Sequence, residues 1–212
     1  MRALLLLRMF VSLVSGAMTV ASASAQSTRQ PLALVLIPGA GGIHPRDFLV
    51  VSEPIFQSAG LQTALTTSAG QAISLIAQFK GRGMRVVLVG MSLGAVTAAQ
   101  AVAGGAQPDG VVFAAGGLLP PGTPNGSVVE TIGDPSRLPR TPVLHHRGDQ
   151  CFLTPPDAVP EFIRWSRGRA RVSWITGGGG FGPPCRPNTP HTFEGRQQAA
   201  AGAIIQFARS AR

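Results

Sequence analysis

Short, uninterrupted apolar runs recur along the chain, and each is separated from the next by room for one helix. Runs such as 32–37 and 85–89 are typical of strands buried on both faces of a sheet. Alternating strands and helices predict a mostly parallel sheet covered by helices on both faces. The predicted strands are 32–37, 61–66, 85–89, 111–114, 142–145 and 171–175, and the predicted helices are 46–59, 70–80, 93–103, 156–167 and 195–209.

Two Gly- and Pro-rich stretches interrupt this pattern and are predicted as loops. They are 116–140 and 177–190. Since the first of them is all that separates two predicted strands, we expect no large cap domain over the sheet. The sequence therefore predicts a site open to small or accessible ligands.

The N-terminus has the three parts of a secretory signal peptide. Arg2 and Arg8 supply positive charge, an apolar run extends from Met9 to about Val20, and Ala23-Ser24-Ala25 is a small-residue cleavage site. We expect cleavage after Ala25, which leaves a domain of about 187 residues, 26–212, in the periplasm or outside the cell. A buried first helix and an uncleaved membrane anchor are the alternatives, although the run is shorter than the roughly 20 residues that span a bilayer.

The chain is basic, and nearly all of that charge is arginine. Loss of Arg2 and Arg8 with the signal peptide lowers the formal net charge from +9 to +7. No nucleic-acid recognition motif accompanies this charge, so we predict no nucleic-acid partner. Weak attraction to anionic surfaces or acidic substrates stays open.

The segment Gly90-Met91-Ser92-Leu93-Gly94 follows a predicted buried strand and precedes an Ala-rich helix. The pattern Gly-x-Ser-x-Gly is weak alone, but in this context it indicates a nucleophile elbow, a sharp strand–turn–helix connection that exposes a serine hydroxyl. Glycines suit such a turn because side chains would clash across it. Ser92 is thus the candidate nucleophile, with an ordinary Gly-Ser turn as the alternative.

A serine hydroxyl is a poor nucleophile unless a base takes its proton. In the chain order Ser, then acid, then His, only His191 follows Ser92 with room for an acid between them. Asp149 is the favoured acid because it lies just beyond a predicted strand and could orient the imidazole. Asp134 and Asp157 remain alternatives, the second of them as a helix-start residue.

The glycine loop 38–42 could supply backbone N–H groups to an oxyanion. Ala40 is the first candidate, Gly41 the next, and the Leu93 N–H would provide the other donor. The loop fits a dinucleotide fingerprint poorly, because its third glycine position is occupied by His44. His44 and Met91 are candidates for the pocket lining, although a hydrogen-bonded loop histidine is the simpler interpretation of His44.

Two cysteines, Cys151 and Cys185, lie close in sequence to the candidate acid and base. Export to an oxidising compartment favours a disulfide between them, with two unpaired thiols as the alternative. A bridge would connect the acid loop to the base loop and limit the drift of the base. Without a Cys-x-x-Cys pair the cysteines make a poor zinc site.

Several segments together resemble a family of exported bacterial α/β-hydrolases that have a His-His-x-x-Asp-x-Cys acid loop. The resemblance implies the α/β-hydrolase fold, the catalytic residues Ser92, His191 and Asp149, and the disulfide, but no defined substrate. One departure is Leu93, where such sequences often carry arginine. The segments are 36–42, 48–52, 90–94, 145–151, 154–155, 184–185 and 190–195.

These features predict a serine hydrolase of the carboxylic-ester class that acts through an acyl-serine and needs no metal or organic cofactor. Four alternatives stay open: a catalytically idle hydrolase-fold protein that binds an envelope ligand, a surface-adhesive basic protein, an acyltransferase, and a peptidase that uses the same three residues.

Overall fold

A computed structural model of the protein describes residues 30–211. The predicted signal peptide, residues 1–25, lies outside the described residues. One sheet of six strands forms the centre of the domain, and every neighbouring pair is parallel. In the order β2-β1-β3-β4-β5-β6 across the sheet, the strands are β1 (Leu32–Ile37), β2 (Gln62–Leu65), β3 (Arg85–Met91), β4 (Gly110–Ala114), β5 (Thr141–His146) and β6 (Ala170–Ile175).

Helices cover both faces of this sheet, as the alternating pattern predicted. The helices α2, α3, α4 and α5 pack on one face, whereas α1 and α6 pack on the other. Their bounds are α1 (Phe48–Ser58), α2 (Ala69–Gly81), α3 (Leu93–Ala103), α4 (Val128–Ile132), α5 (Ala158–Trp165) and α6 (Gln197–Ser210).

The sheet separates two hydrophobic cores, and β1 contributes to both. Its residues Ala33, Val35 and Ile37 point into the core under α2 and α3, while Leu34 and Leu36 point into the core under α1 and α6. All of them are fully buried. Because successive strand residues face opposite sides, a strand buried on both faces must be apolar throughout. This is why the run 32–37 could be recognised as a strand from the sequence.

The prediction that 116–140 is entirely loop was wrong. This stretch contains the five-residue helix α4 and a short 3₁₀ turn, Pro135–Arg137. A capping box begins α4: the Ser127 hydroxyl accepts the Glu130 N–H, and the Glu130 carboxylate accepts the Ser127 N–H. No larger element lies between β4 and β5, so the expectation of no large cap domain holds.

The described residues 30–211 contain no helix that is both long enough and apolar enough to cross a membrane. The carboxyl ends of the parallel strands meet at one edge of the sheet, where ligands bind in folds of this kind. Ser92 follows β3 at that edge, Asp149 follows β5 and His191 follows β6.

Candidate active site

Ser92 occupies a strained turn between β3 and α3. Its backbone has φ 53° and ψ −116°, in a region that costs a non-glycine residue about 1–3 kcal/mol. The Ser92 N–H donates to the Ala114 carbonyl at 2.9 Å, which fixes the turn to the neighbouring strand. The side chain is half-buried, so its hydroxyl can meet a ligand from solvent.

A continuous chain of hydrogen bonds joins the three residues that were predicted from the sequence as nucleophile, base and acid. His191 Nε2 lies 3.1 Å from Ser92 Oγ, and His191 Nδ1 lies 2.9 Å from Asp149 Oδ2. A carboxylate only accepts, so the His191 Nδ1 carries the proton, and Nε2 is left to accept the serine proton. The His191 side chain is 3% exposed and the Asp149 side chain is 0% exposed, which shields their hydrogen bond from water.

The loop after β5 fixes the orientation of the Asp149 carboxylate. The Cys151 N–H donates to Asp149 Oδ1 at 2.8 Å. The Thr154 hydroxyl donates to Oδ2 at 3.5 Å and lies 3.3 Å from His191 Nδ1. The carboxylate is thus held from two directions while it faces the imidazole.

The alternative acids lie in other local structures. The Asp134 carboxylate accepts the N–H and the hydroxyl of Ser136, and these hydrogen bonds lower the pKa of Asp134 below its ordinary value. Asp157 is the N-cap residue of α5. Neither forms a hydrogen bond to His191 among the described residues.

The backbone N–H groups of Leu93, Ala40 and Gly41 are the candidate oxyanion donors. Leu93 is the first residue of α3, and its N–H has no acceptor within residues 30–211. The same holds for the N–H groups of Ala40 and Gly41, which line the cavity in front of Ser92. Such N–H groups can stabilise a developing oxyanion because they are oriented before the reaction begins.

Asp47 holds this glycine loop in place, a role that the sequence analysis missed. Its Oδ2 accepts the Gly39 N–H at 2.9 Å and its Oδ1 accepts the Leu49 N–H at 2.8 Å, so one carboxylate both caps α1 and ties down the loop. Burial raises the pKa of Asp47, although these N–H groups favour the charged form. Because Asp47 immediately precedes an apolar helix, its capping role could have been predicted from the sequence. Its contact with Gly39 could not, because that contact depends on the fold.

The two cysteines form a disulfide in the structure, with their Cα atoms 4.5 Å apart. Cys151 also donates its N–H to Asp149, and Cys185 lies in the loop that leads to His191. The bridge therefore connects the acid loop directly to the base loop.

We expect that replacement of both cysteines by alanine lowers the free energy of unfolding by about 3–4 kcal/mol, because the bridge spans 34 residues of sequence. Urea unfolding of the wild type and of the variants measures this loss. Each single cysteine variant should lose as much stability as the double variant; additive losses would contradict a bridge.

Beside the carboxylate lies His145, a fully buried histidine of β5. Its Nε2 lies 3.0 Å from the Thr154 carbonyl oxygen and 3.9 Å from Asp149 Oδ2. Burial lowers the pKa of His145 from its ordinary value of 6.5, against the opposite influence of Asp149. His145 is thus neutral near pH 7, and it supports the loop that contains Thr154 and Asp149.

This lowered pKa predicts that acid destabilises the fold. As the pH falls below 6.5, the unfolded chain binds a proton at His145 before the folded chain does, so the free energy of unfolding decreases. The slope contributed by one such group is at most about 1.4 kcal/mol per pH unit. Urea unfolding of the wild type and of His145→Asn between pH 7.5 and 5.5 isolates it. The asparagine variant should show the shallower decline, and equal slopes would refute the prediction.

A cavity of about 480 Å³ opens in front of the Ser92 hydroxyl. His44 and Met91, the two lining candidates from the sequence, both lie on its wall. His44 also accepts the Arg46 N–H at Nδ1, at 3.2 Å, so it is a hydrogen-bonded loop histidine as well. Phe181, Arg46 and Arg186 complete parts of the wall, and none of the three was foreseen.

Within residues 30–211 there is no cluster of three or more His, Cys, Asp or Glu side chains arranged to hold a metal ion. The lining of the cavity in front of Ser92 includes the imidazoles of His191 and His44, the serine hydroxyl, backbone N–H groups and two guanidinium groups. Together they can abstract a proton, form a covalent bond and stabilise negative charge.

Solved structures of hydrolases share this architecture. An esterase from Exiguobacterium antarcticum superimposes with a TM-score of 0.59 at 10% sequence identity, over 85% of this chain and 92% of that one. A lipase-esterase related protein from Clostridium acetobutylicum gives 0.58 at 9% identity, over 84% and 95%. An α/β serine hydrolase homologue from Coxiella burnetii gives 0.55 at 11% identity, over 84% of both chains.

No protein-family model matches the chain, and no curated protein is similar to it in sequence. The structural similarity establishes the α/β-hydrolase fold, which confirms the predicted fold class. At such low identity it establishes the fold alone, and the activity has to be argued from the site.

Proposed function

We propose that the protein is a serine hydrolase that cleaves carboxylic esters through an acyl-serine intermediate. The observation that carries this proposal is the unbroken chain of hydrogen bonds from Ser92 Oγ through the His191 imidazole to Asp149, at 3.1 and 2.9 Å, beside a cavity of substrate size. These distances are within the range for proton transfer between a nucleophile and its base.

In the proposed reaction, Ser92 Oγ attacks the ester carbonyl carbon while its proton passes to His191 Nε2. The carbonyl oxygen becomes an oxyanion, which the N–H groups of Leu93 and Ala40 stabilise, with Gly41 as the neighbouring donor. The C–O bond to the alcohol then breaks, and His191 returns its proton to the leaving oxygen. Asp149 stabilises the imidazolium that exists between these two transfers.

The second half of the reaction repeats these steps with water. His191 takes a proton from a water molecule, whose oxygen attacks the acyl carbon, and the carboxylic acid leaves as Ser92 regains its proton. Because α4 and one 3₁₀ turn are the only regular elements between β4 and β5, water and small substrates reach the site directly. The open site favours an accessible ester over a long buried chain.

A fluorophosphonate probe tests this proposal, since it forms a bond only with an activated serine. The wild-type protein should be labelled, and Ser92→Ala should not. Ser58→Ala removes an exposed serine at the end of α1 and should label as the wild type does. A folded wild-type protein that resists the probe would contradict the proposal and favour an idle binding protein. Comparison of 4-nitrophenyl butyrate with its thioester and anilide analogues then ranks ester hydrolysis against the acyl-transfer and peptidase alternatives.

We further propose that the chain is exported, to the periplasm or beyond. The Cys151–Cys185 disulfide supports this, because such bonds persist in oxidising compartments. The N-terminal pattern of charge, apolar run and small residues supports it independently. N-terminal sequencing of the protein from its native host should begin at Gln26. A chain that retains Met1 and has reduced cysteines would contradict export.

A further inference from the structure

Two arginines from different loops line the cavity in front of Ser92. Arg46 lies in the β1–α1 loop, six residues beyond Ala40, and Arg186 lies in the β6–α6 loop that leads to His191. Both side chains are exposed. The two loops contribute the oxyanion donors and the base respectively, so the guanidinium groups belong to the same cavity as the reacting groups.

Within residues 30–211 neither guanidinium has a carboxylate within 4.0 Å or a hydrogen bond to another group. Some other arginines of the domain form hydrogen bonds within the fold. Arg137 donates to the Ala103 carbonyl and Arg209 to the Ala59 carbonyl. Each of these hydrogen bonds connects two segments that are distant in sequence. The two cavity arginines contribute no such contact, so their charge is available to a ligand.

The backbone at both positions is anchored. The Arg46 N–H donates to His44 Nδ1 at 3.2 Å, and the next residue is the loop-holding Asp47. Arg186 follows the bridged Cys185, its N–H donates to the Pro183 carbonyl, and its carbonyl accepts the Thr189 hydroxyl at 2.8 Å. A fixed backbone lowers the entropy lost when a long side chain binds an anion.

The cavity lining contains little negative charge to balance these two arginines. Asp47 is the one carboxylate among the described lining residues, and backbone N–H groups occupy both of its oxygens. The lining therefore has an excess of positive charge, in a chain whose formal net charge is already +9. Positive charge concentrated in a cleft raises the local concentration of anionic ligands.

We propose that the site selects esters that carry a negatively charged oxygen group, most simply a carboxylate, and that Arg46 and Arg186 bind this group. Guanidinium groups suit this role because their planar forks match the geometry of a carboxylate. This proposal rests on the proposed function, since it names the substrate class of the same site. Charge-assisted hydrogen bonds of this kind change binding by about tenfold or more.

Two pairs of esters that differ only in charge test the proposal. Mono-4-nitrophenyl adipate and its methyl-capped diester differ in charge on the acyl side, and 4-acetoxybenzoate and its methyl ester differ on the leaving-group side. The measured quantity is the ratio of kcat/KM for the charged ester to that for the neutral one, each corrected for spontaneous hydrolysis. The wild type should give a ratio above about 10 for at least one pair, which also shows the side that carries the anion.

Variants assign this preference to the arginines. Arg46→Gln and Arg186→Gln should each lower the ratio about tenfold, whereas Arg164→Gln, which removes an exposed arginine of α5 outside the cavity, should leave it unchanged. High salt should also lower the wild-type ratio, because at 1 M the screening length falls to about 3 Å.

The outcomes separate the two proposals. Ser92-dependent turnover with no charge preference in either pair, or with a preference that both glutamine variants retain, overturns the anionic-ester proposal and leaves the hydrolase standing. Absence of Ser92-dependent turnover of all four esters overturns the proposed function, and this inference with it. A preference that falls in both cavity variants, and not in Arg164→Gln, supports both proposals.

Discussion

Replacement of Ser92 by alanine is expected to lower the kcat for ester hydrolysis by on the order of 10⁴- to 10⁶-fold, with little change in KM. The alanine variant keeps the candidate oxyanion N–H groups but lacks the oxygen that would form the proposed acyl-serine. The effect on folding should be small, because the hydroxyl forms one hydrogen bond, to His191, in the structure. Stopped-flow or steady-state turnover of 4-nitrophenyl butyrate measures the loss.

The control for this prediction compares the loss of kcat in the double variant with the losses in the two single variants. Ser92 and His191 act on the same proton, so His191→Ala should cause a loss of similar size, and the double variant should lose no more than Ser92→Ala alone. Losses that multiply in the double variant would show that the two residues act separately. A Ser92→Ala protein that keeps more than about 1% of wild-type kcat would exclude Ser92 as the nucleophile.

Replacement of Gly94 by alanine is expected to lower the free energy of unfolding by about 5 kcal/mol, and the melting temperature by about 10–20 °C. A Cβ atom there would lie 2.1 Å from the Ile37 carbonyl oxygen and 2.4 Å from the Pro38 carbonyl oxygen. Both obstacles are backbone atoms, at the end of β1 and the start of the glycine loop 38–42, so neither can rotate away.

A matched variant in α6 separates this clash from the general effect of an added methyl group. Gly202 lies within α6, and a Cβ there meets no atom within 4 Å. Gly202→Ala should therefore stabilise the protein by about 0.5–1 kcal/mol, through the better helix propensity of alanine. Thermal unfolding of both variants gives the comparison. Equal effects of the two substitutions would refute the close approach of α3 to the β1 end.

The sequence was most informative where a local pattern determines the structure. The apolar runs located the inner strands β1, β3, β4 and β5 to within a few residues, because a strand covered on both faces is apolar on both sides. The edge strands β2 and β6 are less buried, and their sequences contain polar residues. The same logic located Ser92, since Gly-x-Ser-x-Gly between a buried strand and an Ala-rich helix predicts the turn that the structure contains.

Two local signals were present in the sequence and were not used. Ser127 and Glu130 have the spacing of a capping box, but the many Gly and Pro residues around them favoured a loop. Asp47 precedes an apolar helix in the same way as a capping residue. A short helix such as α4 has little apolar periodicity, so its capping residues were the main signal available.

The remaining site features arise only when distant segments meet. Asp47 contacts Gly39, and Thr154 contacts both Asp149 and His191, through side-chain geometry that no spacing in the sequence specifies. Arg46 and Arg186 are far apart in the sequence. They line a common cavity only because their two loops fold together at the carboxyl edge of the sheet. Sequence composition revealed the excess of arginine but not where the charge would be concentrated.

The strand ends position the proposed reacting residues, whereas the loops form most of the cavity wall. This separation has a consequence for how the selectivity of such a domain can change. The proposed reacting residues follow β3, β5 and β6. The walls of the cavity come largely from two connections, 39–47 and 181–188, whose exposed side chains contribute little to either core. Changes at Arg46, Phe181 or Arg186 can thus alter which molecules are accepted at almost no cost to folding. Exchange of these three exposed side chains, with the glycine loop, Asp47 and Cys185 left unchanged, is then a practical route to alter selectivity while the chemistry stays the same.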